Sequence, residues 1–184
     1  MVNFLLSTSQ KYIEARRIFQ GLTLSLKPAS SSEKLIARIK SILLSPIHAV
    51  AEKLVYQKVR EATGGRFKWA ISGGGSLAAH LDNFFEIANI GLLVGYGLTE
   101  TSPVLTVRRA WHNLKGSAGQ PIAHTEVKIV DPDSRQQLSI GQRGLVLARG
   151  PQIMAGYYLN PEATAKAIDP EGWFDTGDLG WLTP

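Results

Sequence analysis

The residues richest in chemistry lie near the middle of the chain, in Gly95-Tyr-Gly-Leu-Thr-Glu-Thr-Ser-Pro. An aromatic ring at Tyr96, a hydroxyl at Thr99 and a carboxylate at Glu100 follow Gly91-Leu-Leu-Val-Gly, a short apolar run that reads as a buried strand. A loop at the carboxyl end of such a strand is where α/β sheets hold ligands. There Tyr96 could stack on a base, Thr99 could hydrogen-bond a phosphate, and Glu100 could hold Mg²⁺, a hard cation that takes oxygen ligands. Together these roles describe nucleotide chemistry. Taken singly, Tyr96 also reads as core and Glu100 as a solvated loop acid.

A second candidate is Ser72-Gly-Gly-Gly-Ser, whose glycines let backbone amides approach a ligand at the start of a helix. Gly73, Gly75 and Ala78 fit the G-x-G-x-x-A dinucleotide fingerprint. The acidic residue that fingerprint requires about 20 positions on is missing, because the next strand ends at Gly95-Tyr96. A tight turn without a ligand stays open as the alternative.

The elements around these loops follow from periodicity and punctuation. Phe4, Leu5, Tyr12, Ile13 and Phe19 predict a helix closed by Gly21. A second helix starts near Ser32, and Pro46 is expected to break it, with Ser45 capping a third helix that ends at Gly64-Gly65. Leu35, Ile36, Ile39 and Leu43, then Ile47, Val50, Leu54 and Val55, recur at helix spacing among lysines and arginines. A solvated basic face on core-packed helices is the favoured reading, and a dock for an anionic membrane or acidic protein the sharper one. Phe67 to Ile71 predicts a strand, Leu77 to Ala88 a helix, and Gly91 to Gly95 a second strand, parallel to the first. Beyond residue 110, short strands at 126–130 and 144–150, joined through the turn Asp131-Pro-Asp-Ser, predict a small antiparallel or barrel-like lobe. A last helix opens at Asn160-Pro161. The fold class is therefore α/β, with a parallel-containing lobe followed by a β-rich one. Segments 1–65 (basic, helical), 66–110 (α/β) and 111–184 (β-rich) are the expected organisation.

Composition excludes several classes. The 184 residues contain no cysteine, so disulfide frameworks and thiolate metal sites are absent, and the four histidines make no HExxH pair. No apolar stretch approaches the ~20 residues of a membrane span. The N-terminus places its first basic residue, Lys11, after the apolar part, the reverse of a secretory signal, so a cytoplasmic or organellar interior is expected, with peripheral membrane contact as the alternative should the basic N-terminal third serve as a dock. The formal charge of +5 is uneven: residues 1–70 carry twelve Lys and Arg against four Asp and Glu, and residues 71–184 carry eight against eleven.

Three ordered motifs resemble the AMP-binding, adenylate-forming synthetases: Tyr96-Gly-Leu-Thr-Glu, Gly156-Tyr-Tyr with Asn160-Pro-Glu-Ala-Thr, and Gly172-Trp-Phe-Asp-Thr-Gly-Asp-Leu-Gly. Glu61-Ala-Thr-Gly-Gly-Arg-Phe, Ser72-Gly-Gly-Gly and Gly116-Ser-Ala-Gly-Gln-Pro-Ile are most similar to the long-chain fatty acid branch, acyl-CoA and acyl-acyl-carrier-protein synthetases of cyanobacterial and plastid type. The resemblance implies part of the large N-terminal domain of such an enzyme. It implies that Gly73, Gly74 and Gly75 line the adenine and acyl-adenylate site, that Tyr96 and Gly97 flank the base, and that Thr99 contacts the α-phosphate. Glu100 would coordinate Mg²⁺, and Asp178 would accept hydrogen bonds from both ribose hydroxyls. Taken singly, Asp178 reads as a turn-former after Gly177, and only the joint order of the motifs argues otherwise. The implied reaction activates a long-chain fatty acid with ATP and passes the acyl group to the thiol of an acyl carrier protein or coenzyme A, with no nucleic-acid partner. A nonenzymatic nucleotide or acyl-adenylate binding module, and a ligase for another carboxylic acid, are the alternatives.

The family's phosphate loop with its lysine has no counterpart here, nor does the smaller C-terminal domain with its catalytic lysine, so an internal fragment is expected. Ser76, where many members have proline, and Leu145, where many supply an acid, are smaller departures. The isolated chain is therefore expected to give little or no fatty-acid-dependent exchange between ATP and pyrophosphate. Robust exchange would show that those lysines are dispensable or supplied elsewhere in the chain.

Overall fold

The structure, a computed structural model, describes residues 2–184 and divides into two compact units, Met1–Val94 with Arg108–Ser117, and Gly95–Val107 with Ala118–Pro184.

The first unit opens on helices. α1 (Val2–Gln20) stops at Gly21, which has φ +73°, and the Leu22 N–H closes back on the Arg17 carbonyl at 2.8 Å. α2 (Ser31–Ala51) begins in a capping box: the Ser30 hydroxyl accepts the Glu33 N–H, and the Glu33 carboxylate accepts the Ser30 N–H at 2.7 Å. The break expected at Pro46 does not occur, because Pro46 lies inside α2 and Ser45 is not a cap. Proline there leaves the Ile42 carbonyl without its N–H donor, and the Ser45 hydroxyl donates to that carbonyl at 2.9 Å instead. The helix continues through one π turn (Glu52–Tyr56) into α3 (Gln57–Ala62), which ends at the left-handed Gly64 and Gly65.

α1 and α2 meet through small and polar groups as well as apolar ones. His48 stacks on Tyr12 with ring centroids 4.4 Å apart, and its Nδ1 lies 3.0 Å from the Ser9 hydroxyl. Leu5, Ile13, Ala51, Tyr56, Ile87, Ala88 and Ile90 form the core of this unit. The apolar positions Leu35, Ile36, Ile39 and Leu43, expected in a core, lie on the outside instead, with Leu43 71% exposed. The residues α2 turns inward are Ala37, Ser41 and Ala51, whose short side chains let the helices approach closely.

β1 (Trp69–Ser72), α4 (Ala79–Ile87) and β2 (Gly91–Tyr96) follow. The two strands are parallel, as expected, with Trp69 opposite Gly91 and Ser72 opposite Val94. α4 is shorter than the expected 77–88 and starts from Ala78, which caps it with no side-chain hydrogen bond. Inside α4, Asp82 is only 5% exposed. Its carboxylate meets the Arg108 guanidinium at 2.7 Å and the Lys115 ammonium at 2.5 Å. Lys115 also lies 3.5 Å from Glu86, which pairs with Arg17 of α1.

In the second unit, the last two residues of β2 pair antiparallel with β3 (Thr106–Val107), and β3 with β4 (Gln120–Pro121). β5 (Glu126–Val130), β6 (Gly144–Arg149) and β7 (Phe174–Gly180) form an antiparallel three-stranded sheet. β6 is its centre, buried from Gly144 to Ala148. Leu145 and Leu147 of β6 form a core cluster with Val130 and Trp173. Trp173 is flanked by two cations, Lys128 at 4.0 Å and Arg149 at 4.6 Å from its ring centroid. α5 (Pro161–Ala167) opens with Pro161 after the cap Asn160, as its sequence predicts.

Burial raises the proton affinity of Asp82, but the hydrogen bonds and charges of Lys115 and Arg108 outweigh it and hold the carboxyl below the ordinary carboxylate range. Its stabilisation is therefore complete above the unfolded-state value of about 4 and is lost as pH falls through the lower folded value. Asp82→Asn, which leaves two buried cations without their anion, is expected to cost about 3–5 kcal/mol in urea unfolding at pH 7. It should also flatten the acid limb of stability between about pH 4 and lower values. Equal urea midpoints for variant and wild type would remove the ion cluster from the stability of this unit.

Candidate nucleotide site

The Tyr96 loop is built from short-range constraints. After Gly97 and Leu98 the chain makes a single 3₁₀ turn, Thr99–Thr101, and Ser102 follows at φ +52°. Thr101 holds this turn from inside: it is fully buried, and its hydroxyl accepts the Leu98 N–H at 2.9 Å and lies 3.0 Å from the Pro103 carbonyl. Gly97 passes so close to that carbonyl that any Cβ would collide with it. Gly97 is thus required by backbone packing, whatever else it contacts. Thr99 stands exposed at the first position of the turn, and Glu100 is half-buried at the second.

Asp178 reaches the same unit on β7. Gly177 before it is left-handed, at φ +71°, and donates its N–H to the Asp175 carboxylate at 2.9 Å. The Asp178 N–H bonds the Thr176 hydroxyl at 3.1 Å, and that hydroxyl donates to the Val146 carbonyl at 2.8 Å. So fixed, Asp178 accepts the Tyr96 phenol through Oδ2 at 2.7 Å. Two motif residues 82 positions apart in sequence are therefore in direct contact. Burial pushes the Tyr96 phenol well above its ordinary value, and the Asp178 charge adds to the rise. At neutral pH it is a firm donor.

Glu100 is held in a parallel way. Its Oε1 accepts the Tyr157 phenol at 3.0 Å and its carbonyl accepts the Met154 N–H at 2.8 Å. The unit thus carries two carboxylates, each hydrogen-bonded by a tyrosine. Gly73, Gly74 and Gly75 lie in the other unit, exposed between β1 and α4. Of these, Gly74 alone has a positive φ, +77°, while Gly74 and Gly75 both face open space. Thr101, Tyr157 and Thr176 are the contributors that motif reading passes over. All three sit inside or beside the recognised motifs; the partners of Thr101 are local, whereas Thr176 reaches the Val146 carbonyl and Tyr157 reaches Glu100 by tertiary contact.

Among the described residues, no group of three or more His, Cys, Asp or Glu is placed to hold a metal ion by itself. A lone half-buried carboxylate fits Mg²⁺, which is ordinarily bound by one or two carboxylates together with substrate phosphates and water. No described helix is long and apolar enough to cross a membrane.

The profile of the AMP-binding enzymes matches residues 14–158. A chloroplastic long-chain-fatty-acid–[acyl-carrier-protein] ligase of Arabidopsis thaliana, AEE15, is 46% identical over 98% of this chain, which spans 25% of that protein. Long-chain-fatty-acid–CoA ligase 1 of Schizosaccharomyces pombe is 38% identical over 76% of the chain and 21% of its own length. Among solved structures, o-succinylbenzoate CoA synthetase (MenE) of Bacillus subtilis aligns with a TM-score of 0.59 at 27% identity, covering 63% of this chain and 24% of that one. Apo MatB of Rhodopseudomonas palustris shares the fold, with a TM-score of 0.59 at 24% identity over 75% of this chain and 27% of its own. The chain spans about a quarter of the length of the curated relatives it matches. With the family profile covering most of its residues and the three motifs in order, this chain belongs to the AMP-binding enzymes.

Proposed function

We propose that the chain carries the adenine-, ribose- and magnesium-contacting part of an ATP-dependent ligase. The ligase joins a long-chain fatty acid to the thiol of an acyl carrier protein or coenzyme A. The Tyr96–Asp178 hydrogen bond carries this reading, because it joins the base-flanking ring of one motif to the carboxylate of another. The relatives named for long-chain fatty acid ligation support the choice of acid.

In this reading a fatty carboxylate oxygen attacks the α-phosphorus of ATP and pyrophosphate leaves. The thiol then attacks the acyl carbonyl and AMP leaves. No side-chain nucleophile takes part, so the protein's contribution is positioning and charge compensation. Tyr96, with its hydroxyl fixed by Asp178, offers its ring to the adenine. Asp178 gives one lone pair to Tyr96 and keeps the rest of its acceptor capacity for the ribose hydroxyls. Thr99, exposed at the head of its turn, donates to the α-phosphate. Bound Mg²⁺, held by Glu100, would neutralise charge on the phosphate oxygens.

The test is nucleotide binding by the 184-residue chain, measured calorimetrically. A carboxylate hydrogen bond contributes about 1.5–3 kcal/mol, so Asp178→Ala is expected to weaken AMP about 10- to 100-fold. The same substitution should weaken 2′,3′-dideoxy-AMP distinctly less, because that nucleotide keeps only the adenine contact of Tyr96 and lacks the ribose hydroxyls. Equal losses for both nucleotides, or none for either, would overturn the ribose role.

A further inference from the structure

The geometry points to Tyr157 as a positioning residue for Glu100, with the turn at Gly156–Asn160 and the start of α5 serving as its mount. This rests on Glu100 being the magnesium ligand of the reading above. It assigns a purpose to the Gly156-Tyr-Tyr and Asn160-Pro-Glu-Ala-Thr motif, which none of the ATP-contacting roles uses.

The mount is a chain of hydrogen bonds. The Tyr157 phenol donates to Glu100 Oε1 at 3.0 Å, and the Met154 N–H donates to the Glu100 carbonyl at 2.8 Å. One segment, more than fifty residues on, therefore fastens both the main chain and the side chain of Glu100. Tyr157 is itself fixed, because its N–H donates to the Thr164 hydroxyl at 2.9 Å. That hydroxyl donates in turn to the Asn160 carbonyl at 2.9 Å, and the Asn160 side chain accepts the Ala163 N–H at 3.0 Å. Gly156, at φ +148°, runs so close to Thr164 that a Cβ would lie 2.7 Å from its methyl carbon. The motif residues in this set divide the work among them. Gly156 permits the approach, Thr164 ties the turn, Asn160 caps the helix, and Tyr157 reaches Glu100.

A phenol on one carboxylate oxygen leaves the second oxygen free to ligate a cation. Holding the side chain beforehand removes ordering that cation binding would otherwise have to impose. Tyr157 acts through Glu100 and needs no contact with the nucleotide.

The experiment measures ATP affinity of the 184-residue chain with saturating Mg²⁺ and with EDTA, and AMP affinity in EDTA, by calorimetry. Tyr157→Phe is expected to reduce the Mg²⁺-dependent tightening of ATP about 3- to 10-fold while leaving AMP affinity unchanged. Glu100→Gln should abolish the tightening, and Tyr157→Phe added to it should change nothing further. A merely structural residue would weaken AMP and ATP alike. The positioning role is overturned if Tyr157→Phe leaves the tightening intact, lowers AMP affinity equally, or adds to Glu100→Gln. Nucleotide binding without any Mg²⁺ effect would reject Glu100 and Tyr157 but leave Asp178 standing. Absence of nucleotide binding by the wild-type chain would overturn the proposed function and this role together.

Discussion

A carboxylate taken almost wholly out of water organises the first unit. Asp82 would be costly to bury alone, and it is tolerated because Arg108 and Lys115 supply opposite charge and hydrogen bonds together. The consequence reaches the candidate site through chain connectivity. The polypeptide leaves this unit after Val94 and re-enters it at Arg108. At that junction the Arg108 N–H bonds the Val94 carbonyl at 2.9 Å while its side chain bonds Asp82. The loop bearing Tyr96, Thr99 and Glu100 is thereby closed at its base. Glu86 and Arg17 extend the same charge network to α1, so a single buried anion ties α4, its neighbour α1 and the chain returning at Arg108.

The second unit solves a different problem, that of keeping polar side chains in place near water. Tyrosine does this at both carboxylates, with its ring supplying packing area and its hydroxyl one directed donor. The supporting layer consists of hydroxyls: Thr101 inside the Tyr96 turn, Thr176 beneath Asp178, Thr164 beneath Tyr157. Each is a short side chain answering backbone groups that an irregular loop would otherwise leave unpaired. Irregular backbone is thus held by side-chain hydrogen bonding where ladders are absent.

Much of this was legible in the residues. The parallel strands around the Gly73 loop, the antiparallel lobe and the cap at Asn160 follow from local rules that act over a few positions, and the structure keeps them. The break at Pro46 does not follow, because the rule that proline ends a helix assumes an unanswered carbonyl, and Ser45 answers it. Helix spacing located the apolar residues of α2 correctly but could not tell which face packs, since a helix with Ala37 and Ser41 on one side and Leu35 and Ile39 on another offers two coherent sides. At the site, residue types pointed to Tyr96, Thr99 and Glu100 as candidates, whereas Asp178 came in only through the family resemblance. That Tyr157 belongs with Glu100 lies in a contact across 57 positions, which no spacing rule encodes.

The outward stripe of α2 has a practical consequence. Leu35, Ile36, Ile39, Ile42 and Leu43 each stand more than half exposed along successive turns, with Val50 and Leu54 continuing the line. Contiguous apolar surface of this kind is sticky, and basic residues at its margins do little to stop it from meeting its own copies. Purified alone, the chain will have a solubility ceiling set by this stripe rather than by its overall charge. Arginine, glycerol or a mild detergent would raise that ceiling where added salt would lower it.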